Sequence, residues 1–419
     1  MSLNHRIAGI WWVFLFCCCR CLPVMAATAT PLQANNASVL SPAAQLSILI
    51  CAPGEAAYAR FGHAALRIMD PVNQLDRVYN YGTFDVNTPR FYLRFIQGNL
   101  AYYLSADTFT AFYDGCQADR QEISEQVLTL TSAEIRQIYS YLEHTLQTPA
   151  RYYPYRFFDD NCATRLYELL NDNLDIPLET DTAYIAWPAT YRSLLSPYLL
   201  GVPWLKLGIN ILLGAPADQQ TCFRQRLFLP LELQKALDHS SRNKRPLVAS
   251  FRVIPVEGTR SLAATPYLLP YMFFLLLFIT ALLTIVSLPL NRYVSRYLDI
   301  LLFGGTGAIG CLLLLLMGWS HHAPLKGNYY LFALMPAHLL LTGIPACRFR
   351  KYYAHISLLI LLLFMLLGSW RNLFTALPEM YLLMATLAVR LIAISQQGGR
   401  SGFLPVNIPG ASDYLGKKR

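Results

Sequence analysis

The stretch DDNCATRLYELL (residues 159–170) decides how the first half of this chain reads. Its apolar residues recur at helical spacing, and Asp160 or Asn161 stands where a helix N-cap belongs. That puts Cys162 in the first helical turn, where unpaired backbone N–H groups and the helix dipole favour a thiolate. A thiolate is a strong nucleophile, and it calls for a histidine to take or hold its proton. His63, after Phe61-Gly62 at the start of a strand, is the partner best placed by location. His144 and His239 lie in polar, surface-like surroundings. Cys162 also has a bland reading as an inert buried thiol, and Cys/His spacing alone does not separate the two.

Around this helix the pattern is mixed α and β. Residues 46–51 (LSILIC), 62–69 (GHAALRIM) and 77–82 (RVYNYG) read as strands, broken by turns at Pro53-Gly54 and in the polar residues 70–76. Thr131-Ser132-Ala133-Glu134 has the form of a capping box and opens a helix to about Leu146. Residues 152–158 are aromatic and strand-like, and 240–245 (SSRNKR) resemble a surface connection. There is no internal repeat, glycine-rich phosphate loop or low-complexity stretch in this part.

The whole chain is not that of an ordinary soluble enzyme. Of 419 residues 54% are hydrophobic and only 14% charged, against about 25% charged in soluble domains. The excess of 34 Lys+Arg over 25 Asp+Glu gives a net charge of +9. Much of it falls between apolar runs near the C-terminus rather than on one soluble face, which argues against nucleic acid. At the start, His5 and Arg6 precede an apolar run, and Ala26, Ala27 and Ala29 come after it. Residues 1–27 therefore read as a secretory signal peptide, or else as an uncleaved anchor. Either exports the domain downstream of it. Of the four cysteines in the exported part, Cys51, Cys116, Cys162 and Cys222, a Cys116–Cys222 bridge is the expected pairing. Four in about 200 residues make no disulfide scaffold.

Residues 267–290, 300–319, 329–346, 353–370 and 377–394 read as five membrane spans, each long enough to cross most or all of a ~30 Å hydrocarbon layer. Glu379 and Arg390 in the last are expected to sit near the interfaces or to snorkel. One alternating set of loops carries Arg292, Arg296, Arg348, Arg350, Lys351, Arg400, Lys417, Lys418 and Arg419; the other carries only Lys326 and Arg371. The positive-inside rule puts the first set in the cytoplasm and the N-terminal domain on the far side. His321 and His322 then face the same side as that domain. His338 sits just inside a span, as a packing residue or a functional one.

CAPGEAAYARFGHAALRI (51–68), YNYGTFD (79–85), FYLRFIQGNLAYYL (91–104) and YRFFDDNCATR (155–165), in that order, resemble the periplasmic domain of the Lnb-type bacterial lipoprotein N-acyltransferases. HHAPLKGNYYLFALMPAHLLL (321–341) is similar to a His-Pro…Asn…Pro-x-His-Leu-Leu segment of that family's membrane half, with Ala323 in place of the first Pro. The resemblance implies an α+β papain-like fold of the permuted NlpC/P60 kind over 45–246. It also implies an all-α membrane domain of about five helices over 267–395 and a cytoplasmic tail from 396 to 419.

With the fold comes a chemistry. Cys162 would be the nucleophile and His63 the general base, and Asn80 would orient the imidazole, with Asp85 in reserve. Tyr58, Arg165, His321, His322, Asn328 and His338 become candidates for substrate binding. Arg165 fits either a phospholipid phosphate or a neighbouring carboxylate. The reaction would move an acyl chain from a membrane phospholipid through a Cys162 thioester to the N-terminal amine of a diacylated lipoprotein, at the inner membrane and without cofactor or metal. The rival readings are a membrane-tethered NlpC/P60-like cell-wall peptidase or amidase, and a non-catalytic membrane scaffold.

Overall fold

The computed structural model of the protein describes residues 40–56, 59–85, 87–174, 179–184, 189–258, 268–285, 291–344, 347–374 and 377–396. The signal-like segment 1–27, Tyr58 and the tail beyond Gln396 lie outside them.

The exported half is built on an antiparallel sheet. Strand β1 (Gln45–Cys51) pairs with β2 (His63–Asp70), and β3 (Leu75–Thr83), β4 (Ala101–Thr108) and β6 (Tyr152–Pro154) continue outward from β2. On the other side of β1 lies β5 (Ile123–Leu128), and β7 (Val248–Ile254) forms that edge. Both faces are covered. Leu46, Ile48, Ile50, Leu66, Ile68 and Tyr79 pack under α3 (Ser132–Leu146), α4 (Cys162–Asn173) and α6 (Pro230–Asp238). Leu49, Cys51, Ala65, Val78 and Ile123 face α2 (Phe109–Ala118), which reaches them with Phe112 and Cys116. Burial on two sides is why β1 reads as an unbroken apolar run rather than an alternating one.

The boundaries depart from the sequence reading in two places. The aromatic run 152–158 keeps strand geometry only over Tyr152–Pro154; beyond it the chain turns, with Arg156 bridging to Asp160. The polar residues 240–245 form a tight hairpin, Asn243 and Lys244 both taking positive φ, as two-residue hairpin turns require. The sheet then regains a strand in β7, so the domain continues past Pro246.

Among the described residues of the C-terminal half three helices are long and apolar enough to cross a membrane: α8 (Asn291–Trp319), α9 (Arg348–Trp370) and α10 (Glu379–Gln396). A shorter apolar helix, α7 (Leu268–Leu283), occupies the first expected span. The expected span 329–346 is not a continuous helix. It folds as 3-10 turns at Tyr329–Phe332 and Pro336–Leu339 and a short helix at Leu340–Gly343. The cause lies in α8. A Cβ at Gly310 would meet the Leu334 carbonyl at 1.9 Å, and one at Gly307 would meet the Leu339 nitrogen at 2.9 Å. The segment presses its backbone into that glycine face, and Tyr330, Ala333 and Leu334 become fully buried. Irregular backbone is tolerated at membrane depth where protein covers it.

Arg390 is 1% exposed, forking onto Asp299 of α8 at 2.7 and 3.0 Å with Thr284, just past the end of α7, as a further acceptor. Glu379, at the first turn of α10, is also buried.

The two halves are hydrogen-bonded together. The His321 N–H donates to the Gln97 carbonyl at the end of α1 (Phe91–Gln97), 2.9 Å. Gly214 N–H donates to the Pro324 carbonyl at 2.7 Å. Asn328 Nδ2 donates to the carbonyls of Ile211 and Leu212, at the end of α5 (Pro203–Leu212), at 2.7 and 3.1 Å. Buried Arg192 grips Asp218, whose carboxylate also accepts from the Tyr329 hydroxyl at 2.7 Å.

Gly310→Ala should therefore lower the thermal midpoint of the detergent-solubilised protein, as overpacking by about 1–3 kcal/mol does. Gly318→Ala, where an added Cβ meets nothing within 4 Å, should leave it unchanged. Equal melting of the two variants would contradict the packing of 329–343 on α8.

Candidate active site

Cys162 opens α4, and the residue before it fixes how. Asn161, not Asp160, is the N-cap: its Oδ1 accepts from the N–H groups of Ala163 and Thr164, each at 3.0 Å. Its Nδ2 donates to the carbonyls of Phe157 and Phe228 at 2.9 and 2.7 Å. The side chain is spent on both sides, and Asn161 is 2% exposed. Asp160 has another task. It receives Arg165 in a two-pronged ion pair, 2.5 and 2.9 Å, while the guanidinium lies 3.5 Å from the centre of the Tyr153 ring. Of the two roles expected for Arg165, the structure has it paired with a carboxylate.

His63 is delivered by a backbone that only glycine allows. Gly62 has φ +79, and a Cβ there would lie 2.7 Å from the Cys51 carbonyl. On the neighbouring strand the β3–β4 register shifts between Asn80 and Thr83, and Gly82, at φ +96, leaves a gap flanked by the Cys162 Cβ and the Tyr155 ring. Both glycines lie in the quoted motifs, FGH and YNYG. They bring the strand ends up to the first turn of α4.

A chain of contacts then runs inward from the sulfur. The Cys162 thiol and the His63 imidazole are near enough to shift each other's pKa, His63 Nε2 lies 3.2 Å from Asn80 Oδ1, and Asn80 Nδ2 donates to Asp107 Oδ2 at 3.3 Å. Asp107 sits on β4, with no motif in the sequence to mark it. It determines the protonation of the rest. A carboxylate only accepts, so the Asn80 amide must turn its NH2 toward Asp107 and its oxygen toward His63. That oxygen in turn requires His63 to carry a proton on Nε2, which leaves Nδ1 to exchange a proton with the thiol.

The electrostatics agree with this geometry. Burial pushes the Cys162 thiol up, but His63 and the backbone N–H groups of Ala64 and Ala163 more than offset it, and the net shift is downward. Burial lowers His63, and the Cys162 thiolate and Asn80 raise it to about 9. Burial raises Asp107, against the pull of Asn80 and Arg77. Both shifts run in the direction that favours a thiolate beside an imidazolium.

The other candidates are distributed elsewhere. Asp85 is exposed and accepts from the Asn87 N–H in a turn. His144 is exposed on α3, and His239 is exposed beyond α6. His322 lies against α1, its Nε2 3.5 Å from the Phe95 carbonyl. Burial holds its pKa down, and it feels the charges of Asp159 and Arg156, in the turn that leads to Cys162. His321 joins the same contact through its backbone. Asn328 and His338 are committed to other partners: Asn328 to α5, and His338, 1% exposed, to the Tyr353 hydroxyl and the Ala333 carbonyl at 2.9 and 3.3 Å. Cys222 is exposed, and the neighbour of the Cys116 sulfur is Cys51 at 2.7 Å, so the expected Cys116–Cys222 pairing is not the one the fold brings together.

An α/β domain that brings Cys162 and His63 together, hydrogen-bonded to the segment 321–329 between α8 and α9, is the architecture of a membrane protein with a large domain outside the bilayer. Two family models match, the Lnb N-terminal periplasmic domain over residues 33–197 and the Lnb transmembrane domain over residues 261–398. The chain belongs to the Lnb family. Neither a curated protein nor a solved structure matches it.

The proton arrangement has two measurable outcomes. Alkylation of Cys162 by iodoacetamide should be fast at pH 7 and show no inflection near 8.5, the value of a free thiol. A single step centred near 8.5 would mean that no ion pair exists. Asp107→Asn should free the Asn80 amide to turn over, and the rate at pH 7 should fall by roughly 10–100-fold, part of what an acid–base group contributes, with the fold retained by circular dichroism.

Proposed function

We propose that this protein is a lipoprotein N-acyltransferase of the bacterial inner membrane, spanning it several times. Membership of the Lnb family points to lipoprotein processing. The observation that carries the finer reading is the Cys162–His63 pair in a domain hydrogen-bonded to the segment that joins the membrane helices α8 and α9. A helix-start cysteine facing a strand-start histidine is also the arrangement of the papain-like, permuted NlpC/P60 enzymes that the sequence resembles.

The reaction runs in two halves. The Cys162 thiolate attacks an ester carbonyl of a membrane phospholipid. As the tetrahedral intermediate collapses, the C–O bond breaks and His63 gives the Nδ1 proton to the departing alkoxide. A lysophospholipid leaves and the acyl chain stays as a thioester. The α-amine of a diacylglyceryl-modified cysteine then attacks the thioester carbonyl, His63 takes the proton that the amine gives up, and the thiolate is expelled. The starting ion pair returns. An amide is more stable than a thioester, so the second half proceeds, and one histidine serves both transfers. Both substrates are held in the bilayer, which gives the membrane half a purpose. The loop with His321 and His322, seated on α1 beside the turn before Cys162, is the wall past which lipid would enter.

In proteoliposomes containing phospholipid alone, wild type should accumulate a hydroxylamine-sensitive acyl adduct on Cys162, and added diacylated lipopeptide should gain one acyl chain. Cys162→Ser should form no such thioester, and His63→Ala should lose roughly 10²–10⁴-fold in rate. N-acylation by Cys162→Ala, or cleavage of wall peptide with the lipopeptide unchanged, would sink the reading.

A further inference from the structure

Two cysteines outside the proposed chemistry lie together behind it. Cys51 ends β1 and Cys116 is in the last turns of α2; their sulfurs are 2.7 Å apart, closer than two non-bonded sulfur atoms rest. Both are buried, at 1% and 6% exposure. Cys51 is not set up as a nucleophile: the contact with Cys116, and then burial, holds its thiol well above its ordinary value. An inert pair of this kind is a poor catalyst and a good crosslink.

The surroundings fit a staple. Helix α2 buries Phe112 and Cys116 against its face of the sheet, with Phe109 and Tyr113 partly buried beside them, so the two sulfurs meet inside a small apolar contact. The turn after α2 already leans on the same place, Gln121 Nε2 donating to the Ala52 carbonyl at 2.6 Å. The strand position matters too. Cys51 is the register partner of His63 on one side and of Ile123 on the other. A bond from Cys51 to α2 would hold the end of β1 against which His63 is aligned.

We propose that Cys51 and Cys116 form a structural disulfide in the exported protein. The domain is periplasmic, a compartment where disulfides form and persist. The two thiols would lose two protons and two electrons to a protein disulfide of the thiol–disulfide exchange type, forming the S–S bond while that oxidant leaves as its dithiol. Exchange takes place during folding, before α2 closes over the sulfurs; afterwards burial shields the bond from reductants. The crosslink is independent of the acyl-transfer reading, because it involves neither Cys162 nor any lipid.

The test is made on full-length protein from cells quenched in acid and alkylated under denaturing conditions without reductant. Peptide mapping should find Cys51 and Cys116 joined, and Cys162 and Cys222 carrying the alkyl label. Recovery of Cys51 and Cys116 both alkylated would overturn the proposal, as would a bond from either to Cys222. A second measurement covers the consequence. Cys116→Ser, or wild type treated with a phosphine reductant after partial unfolding, should melt lower by roughly 5–10 °C, as expected for a crosslink closing a long loop. Identical melting of wild type and variant without reductant would count against the bond.

Discussion

Asn161 is the residue on which the site depends. Its side chain makes two bonds into the first turn of α4 and two back to the carbonyls of Phe157 and Phe228. Those carbonyls belong to an aromatic cluster that includes Phe158, Tyr191 and Tyr198. The first turn of a helix that enters a core has N–H groups no water can reach, and leaving them unpaired costs about 1–3 kcal/mol each. Asn161 satisfies two of them and ties the helix start to the aromatic floor. The sulfur of Cys162 therefore has a fixed origin, and the two motif glycines bring the strands to it rather than the reverse.

A second constraint acts through protons. In the interior each polar atom must face a complementary one, so the direction of a hydrogen-bond chain is set at its least adjustable end. Here that end is Asp107, which only accepts while ionised. Asn80 cannot be reversed without opposing acceptor to acceptor, and His63 inherits its tautomer from that. The same dryness that makes mistakes costly strengthens any attraction between Cys162 and His63, which is why each shifts the other toward its charged form against the effect of burial.

Much of this is legible in the sequence because it is local. Asn161-Cys162 announces a capped helix start, and Gly62-His63 and Asn80-Tyr81-Gly82 are short strings whose glycines have positive φ in the fold. The part that is not legible depends on pairings between distant residues. Asp107 meets Asn80 only because β3 and β4 align in one register, and nothing in AYYLSADT marks that aspartate as special. Cys116 meets Cys51 rather than Cys222 for the same kind of reason: the covering of the second sheet face by α2 has no local signature. In the membrane half, composition over 329–346 satisfies a helix, but the glycine face of α8 rewards close backbone approach, and packing overrides the pattern. Hydropathy treats each residue alone and so gives no sign that Arg390 is paired with Asp299 on another helix, which makes its burial in the protein tolerable.

The bonds between the loop 320–330 and the exported domain bear on how the protein can be handled. Cutting the chain between its halves would strip Asp218 of the Tyr329 hydroxyl, uncap the carbonyls of Ile211 and Leu212, and bare the apolar side of α5, where Leu207 and Ile211 now pack with the membrane core. On the other side of the cut, Asn328 would face lipid or detergent with no acceptor. Neither fragment is a natural unit, and a soluble truncation is a different molecule around Arg192. The continuity also fixes where Cys162 stands relative to the apolar helices, so the exported domain cannot swing on them without first breaking these bonds.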